Sequence, residues 1–383
     1  MERTATNRQA MVAVAVVIGL AAWVISTRGA WESWSRDEFW QLDRAFADPA
    51  ALVADGAVHV YTTSATECVP GSCTTYFVPR FTSDSLAEPG QLQGDAMPDR
   101  PAWVAADQRA VWGPSITRFG EGYLMYFAAT SGRAPFVGTK CLGVAVSPSP
   151  TDPFVPLPDP LRCTYGFWNI DPYVVSDGTN WYLLWREDDP ANVTGKIVVA
   201  QLRPDGLGFG GAGTRTLLVG EYAWEEGYPE GTQPAQPDAE ATDRRLPAGA
   251  LTSPTGIGPI ENPAMVRHPE TGQWLLSWSA NRWETRDYAT GLATCDGPLG
   301  PCQRLSQDQP WLRSADDGAV STTAQFSGCG GLSFMTDPDG RLYAMFHAYR
   351  DGEGEERAAA PRVGWVYAVE PAADGGYMLA EFG

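Results

Sequence analysis

Three carboxyl groups, Asp48, Asp171 and Glu261, recur at matched points of a repeated pattern, and each stands within two residues of a proline. Carboxyl groups held as a pair support general acid–base hydrolysis. One gives a proton to a leaving oxygen while the other takes a proton from water, which is the chemistry of breaking a glycosidic bond. A third carboxylate nearby raises the acid's pKa by like-charge repulsion and helps to orient it. A single Asp-Pro is ordinarily a turn, and TDPDG at residues 336–340 is a turn of that kind. Three acids in register in repeated units call for a different account, a shared site.

The units that must position them are five copies of one β-pattern. They read FADPAALVADGAVHVYTT from Phe46, VWGPSITRFGEGYLMYFAA from Val111, NIDPYVVSDGTNWYLLWRE from Asn169, IENPAMVRHPETGQWLLSWSA from Ile260 and GGLSFMTDPDGRLYAMFHAY from Gly330. Each is an apolar run, a turn built on Asp, Gly or Pro-Glu-Thr-Gly, and an aromatic-rich run, which together make a hairpin. One β-unit repeated at intervals of several dozen residues predicts an all-β chain folded as a five-bladed β-propeller. Equivalent positions around a closed ring converge on its axis, so the three carboxyls should meet there.

Composition bounds the rest. The 383 residues are 44% hydrophobic with 15 Trp, 14 Tyr and 14 Phe, enough for a packed core, and 41 Gly with 31 Pro fit many tight turns. A net charge of −19 without a basic stripe would be repelled by a phosphate backbone, so nucleic acid is excluded as a partner. Arg3 and Arg8 precede the uncharged run Ala10–Ile25, so residues 1–30 read as an export signal or an uncleaved membrane anchor. In either case the body of the chain is extracytoplasmic. Residues 31–43 form a linker, 44–383 the propeller, and the Pro-, Gly- and acid-rich stretch 227–258 a long rim loop that walls or covers the cleft. The seven cysteines suit an oxidising compartment, with the local pairs Cys68–Cys73, Cys141–Cys163 and Cys295–Cys302 and with Cys329 left over. Metal-site spacing is absent, and Asn192-Val193-Thr194 forms a glycosylation sequon.

With these motifs in order, the chain resembles glycoside hydrolase family 43 and its five-bladed relatives that cleave arabinose- and xylose-containing polymers. The resemblance spans nearly all of residues 44–383. It rests on ADP at 47–49, WGPSI at 112–116, CLGVAVSPSPTDPF at 141–154, IDPYVVSDGTNWYLLW at 170–185, IENPAMV at 260–266, SANRWETRDYATGLATCDGPLGPC at 279–302 and HAY at 347–349. It implies Asp48 as general base, Asp171 as pKa-modulating and orienting acid and Glu261 as general acid, with inversion at the anomeric carbon and no cofactor.

Two departures stand out. Trp224-Glu225 has the look of a pair that the family often places just before the acid, but here the insertion intervenes. Many arabinan-degrading members carry a Gly-x-Gly-His stretch whose histidine binds a central metal ion or its waters. Gly328-Cys329-Gly330-Gly331 puts Gly331 in its place, which argues against an axial calcium ion. Cys329 reads as a small buried hydrophobe.

Trp112 and Trp168, each at the start of an inner strand, are the expected stacking platforms for a sugar, and Arg282 with Trp283 is placed to line the cleft. His59, His268 and His347 read as structural. The reading is an exported, monomeric enzyme that hydrolyses arabinofuranosyl linkages in a polysaccharide. A β-xylosidase or another glycan hydrolase on the same fold, and a non-catalytic carbohydrate-binding propeller, are its rivals.

Overall fold

The computed structural model describes residues 46–69, 71–86, 88, 90–189, 194–225, 258, 260–314, 326–350 and 362–380. The expected leader or anchor, the linker, the body of the insertion at 227–257 and the sequon asparagine lie outside the described residues.

Five four-stranded antiparallel sheets follow one another along the chain, four built from consecutive strands and the first interrupted by a separate two-stranded hairpin. From inner to outer strand, blade 1 holds Ala50–Ala54, Ala57–Tyr61, Pro79–Ser83 and Gln91–Asp95, and blade 2 holds Val111–Phe119, Gly122–Thr130, Lys140–Ser147 and Val155–Pro156. Blade 3 holds Asn169–Ser176, Trp181–Asp189, Thr194–Leu202 and Phe209–Val219, and blade 4 holds Ile260–Arg267, Trp274–Ala280, Ala289–Cys295 and Cys302–Arg304. Blade 5 holds Phe326–Thr336, Leu342–Arg350, Val363–Pro371 and Tyr377–Ala380. The expected all-β propeller is what forms.

Strands apolar on both faces explain the ring. Each sheet must cover two faces, and it does so against both neighbours. Five separate apolar cores result, one per junction. Tyr61, Trp103 and Phe127 lie between blades 1 and 2, and Tyr126, Leu142 and Trp185 between blades 2 and 3. Leu184 and Trp278 join blades 3 and 4; Leu275, Phe326 and Phe346 join blades 4 and 5; Phe46, Phe81 and Met345 join blade 5 to blade 1. Inner strands touch in sequence around the circle, and the ring closes where the Phe46 N–H donates to the Arg362 carbonyl at 3.0 Å.

Inner strands share one local distortion. Asp48, Gly113, Asp171, Asn262 and Gly331 all have positive φ, between 49° and 58°. The ladder between the first and second strands shifts register at this point in blades 2 to 5. In four blades the next residue is proline, which has no N–H to leave unpaired at the break. Only Gly, Asp and Asn reach this backbone region at low cost, and those are the residue types present.

This corrects the matched placement expected for the three acids. Asp48 and Asp171 are equivalent, but the corresponding residue of blade 4 is Asn262, and Glu261 stands one residue earlier. A longer side chain without a short-range hydrogen bond to its own backbone is poorly suited to the left-handed position, so the glutamate reaches the axis from beside it.

Two of the expected disulfides, Cys141–Cys163 and Cys295–Cys302, are formed. Cys68 faces Cys73 across the small hairpin Ala65–Val69/Ser72–Tyr76, and Cys73 is disulfide-bonded. Cys329 is free and buried, with burial pushing its thiol pKa well up, as suits a packing residue.

The insertion is tied off at its base. The Glu225 carbonyl accepts from the Gly258 N–H at 2.7 Å, so its two ends meet. The Glu225 carboxylate, fully buried, accepts from Trp278 Nε1 at 2.8 Å and from the Glu221 and Tyr222 amides, and it pairs with Arg304. Glu225 is therefore a structural clamp. We expect a chain in which 226–257 are replaced by two glycines to keep the wild-type circular dichroism spectrum and to melt within about 5 °C of the parent. Loss of cooperative melting would show that the insertion is part of the fold.

Candidate active site

The starts of the inner strands bring Asp48, Asp171 and Glu261 together at one end of the axis, close enough that Asp171 senses the charge of both others and Glu261 that of Asp48. Thr63 Oγ1 donates to Asp48 Oδ2 at 2.6 Å, and the Asp48 N–H donates to His347 Nδ1 at 3.1 Å. Asp171 Oδ2 accepts from the Asn262 N–H at 3.2 Å, a bond from blade 4 to blade 3. Glu261 Oε2 pairs with Arg186 Nη1, while Oε1 accepts from the Tyr288 hydroxyl at 2.7 Å. Blades 1, 3, 4 and 5 all contribute, so the site exists only when the ring is closed.

Exposure separates the acids. The Asp48 and Glu261 side chains are each 17% exposed, whereas Asp171 is 7% exposed as a residue. Two carboxyls can thus reach a ligand while the third lies behind them. Burial is the largest cause lifting the Asp171 pKa well above the usual carboxyl range, followed by the charges of Glu261 and Asp48. Burial also raises Glu261, against the opposing pull of Arg186 and Tyr288. Arg186 stays charged despite its own burial because Asp188 and Glu261 flank it, with Nε donating to Asp188 Oδ1 at 2.7 Å. This single cation does not offset the burial that raises Asp171 and Glu261.

The sequence did not point to Arg186, Asn262 or Tyr288, nor to His347 as part of a site. His347 belongs to the second strand of blade 5 and is fully buried, with its ring stacked on Tyr288 at 5.8 Å and 7°. Its Nδ1 faces the Asp48 N–H and its Nε2 lies 3.3 Å from Arg362 Nη1, both donors. A proton on Nδ1 would face the Asp48 N–H, with Asp48 Oδ1 3.7 Å away, and one on Nε2 would face the Arg362 guanidinium. Burial and the Arg362 charge accordingly hold the histidine well below its usual pKa. The paired glycines of blade 5 make room for this layer. A Cβ on Gly330 would fall 2.0 Å from the Tyr288 ring, and one on Gly331 2.6 Å from His347 Nδ1 and 2.7 Å from Asp48 Oδ1. Glycines were visible in the sequence, but what they accommodate was not.

The same packing bears on an axial metal ion. The position of a side chain at 331 is filled by His347 and Asp48, and both imidazole nitrogens already face N–H donors. These residues do not fit a cation site, and no chemical step is routed through one.

Trp168, 9% exposed, is part of the core between blades 2 and 3, packed edge-on against Trp112 with centroids 6.0 Å apart. Trp112 keeps partial exposure, and Lys140 Nζ sits over its ring at 3.4 Å. Arg282 lies in the loop after the second strand of blade 4, its side chain 34% exposed and 4.0 Å from Glu284. Arg362 stacks on Trp283, at 4.7 Å.

Comparison with known proteins agrees with this geometry. Residues 42–375 match the family described as glycosyl hydrolases family 43. The chain belongs to that family. As a family 43 glycosidase it is similar to a β-xylosidase of Xylanibacter ruminicola, at 26% identity over 283 residues, which covers 67% of this chain and 76% of that protein. Its fold is that of a thermostable family-43 glycoside hydrolase, with TM-score 0.63, 19% identity and coverage of 88% and 94% of the two chains. An α-L-arabinofuranosidase from Lactobacillus brevis gives TM-score 0.61 at 19% identity, covering 89% and 94%.

The raised Asp171 pKa has a consequence for stability. Above the ordinary carboxyl range the unfolded chain has released this proton while the native state still holds it. Native stability therefore falls as pH rises through that interval, and the penalty vanishes below about pH 4, where both states are protonated. The Asp171→Asn variant should melt at least about 2 °C above the parent at pH 7, with the gap closing at pH 4. A variant that melts lower at both pH values would show the carboxyl to be stabilising.

Proposed function

We propose that this family 43 glycosidase is exported and hydrolyses arabinofuranosyl linkages in a polysaccharide with inversion at the anomeric carbon. The carrying observation is the pair of partly exposed carboxyls, Asp48 and Glu261, brought together from blades 1 and 4 with the buried Asp171 of blade 3 beside them. Inversion needs a base that draws a proton from water on one face of the sugar and an acid that protonates the leaving oxygen on the other.

Asp48 takes the base role. Thr63 and the Asp48 amide's bond to His347 fix its orientation without placing a cation on it. Glu261 takes the acid role, and burial favours its protonated form. Asp171, buried behind the other two, accepts from the Asn262 N–H next to Glu261 and so helps to orient the acid. Like charge reaches Glu261 from Asp48, and Glu261 and Asp171 repel each other, which supports a pKa-modulating part for Asp171. Export rests on the basic and apolar residues 3–25 and on the disulfides. The similarity to a β-xylosidase supports a second reading, with a xylosyl unit as the group released.

Incubation with arabinans, arabinoxylans and xylo-oligosaccharides, followed by proton NMR of the first-formed product, tests substrate and stereochemistry together. Arabinose released with inverted anomeric configuration is expected; xylose alone would favour the second reading, and retained configuration would remove the mechanism. Glu261→Gln and Asp48→Asn should each lose about 10³-fold in kcat on oligosaccharides while melting as folded proteins. Near-parental turnover by either would remove its role.

A further inference from the structure

The hydroxyl of Tyr288 has a fixed polarity. It meets three side chains in a fully buried setting: the Asn262 amide, with Nδ2 at 3.0 Å, Ser279, and Glu261 Oε1 at 2.7 Å. The Asn262 nitrogen can only donate, Ser279 Oγ accepts from the Gly331 N–H, and the Tyr288 hydroxyl donates to Glu261. The phenolic proton lies toward Glu261 Oε1. The ring is held from both sides, by the His347 imidazole stacked on it and by Gly330, where no Cβ would fit.

Glu261 is faced by charged or titratable groups from each neighbouring blade: Arg186 and Asp171 of blade 3, Asp48 of blade 1, and Tyr288 on its own blade, with His347 of blade 5 behind the phenol. Arg186 puts a full positive charge at Oε2 and so disfavours a proton there. Tyr288 puts a neutral donor at Oε1 and leaves that oxygen's second lone pair open.

We propose that Tyr288 is a positioning residue for the general acid, selecting Glu261 Oε1 as the oxygen that carries and delivers the catalytic proton. The proposal rests on the acid role assigned to Glu261. In the step, the proton leaves Oε1 for the glycosidic oxygen as the bond from the anomeric carbon breaks and its electron pair stays with that oxygen. Negative charge appears on the carboxylate, and the Tyr288 hydrogen bond becomes charge-assisted at that moment. A contact stronger in the transition state than before it lowers the barrier and leaves substrate binding unchanged.

The test compares Tyr288→Phe with the parent and with Glu261→Gln, on aryl glycosides of pentoses whose leaving groups range from dinitrophenol to phenol. Loss of a donor to the anion should move the alkaline limb of the kcat/KM profile upward by about one pH unit. It should also cut kcat about 10-fold or more on phenyl glycosides with KM unchanged, yet spare dinitrophenyl glycosides, whose departure needs no proton. A parental limb and parental leaving-group dependence, with Glu261→Gln still inactive on phenyl glycosides, would overturn this inference alone. Glu261→Gln active on phenyl glycosides would instead overturn the acid assignment. If Tyr288→Phe does not melt cooperatively, Asn262→Gly carries the test. Glycine suits the φ of 49°, the amide to Asp171 is kept, and only the donor that orients the phenol is lost. A smaller upward shift is then expected, and none would overturn the proposal.

Discussion

Everything at the axis depends on a backbone that turns left-handed once per blade. A regular strand would send successive side chains to opposite faces and keep them in the sheet-to-sheet cores. The positive-φ residue interrupts the regular strand: in blades 1 and 3 it is an aspartate of the site, in blade 4 it is Asn262 beside Glu261, and in blades 2 and 5 it is a glycine. Such a conformation before proline is costly, of the order of 1–3 kcal/mol per residue for non-glycine types. Five apolar cores, each closed by two sheets, supply the rigidity that holds the distortion. Structure and chemistry are thus divided: aromatic burial between blades makes a stiff ring, and the ring stores strain where the acids stand.

Charge at the centre follows the same logic. Asp171, Asp188 and Glu261 converge on one buried guanidinium, and burial raises the pKa of Asp171 and of Glu261. Neutral donors do the remaining orienting. Threonine, a backbone amide, a phenol and an uncharged imidazole each fix one atom without adding charge. The glycine pair of blade 5 belongs to this layer, since it lets the Tyr288–His347 stack lie directly under the acids.

Much of this was legible in the sequence. Hairpin periodicity repeated five times specified the fold class, because each unit carries its own turn and its own apolar alternation. Asp48, Asp171 and Glu261 were legible because proline marked the strand starts. What sequence order concealed was which residue of ENP takes the left-handed position, since the preference for Asn over Glu shows only when all five blades are superposed. Tyr288 and His347 were hidden for a different reason. They occupy a loop end and a second strand: Tyr288 reaches Glu261 across the fold of blade 4, and His347 meets Asp48 only when the ring closes. The two tryptophans chosen as platforms show the converse limit: one is core, and position along the strand did not tell which.

Cys329 gives the ring a built-in reporter. It is a free thiol sealed in the apolar junction between blades 4 and 5, close in sequence to the glycines that seat Tyr288 and His347. Its labelling by a thiol reagent would require that junction to part. The rate of modification in native buffer therefore measures how often this propeller breathes open at the very joint that assembles its acids.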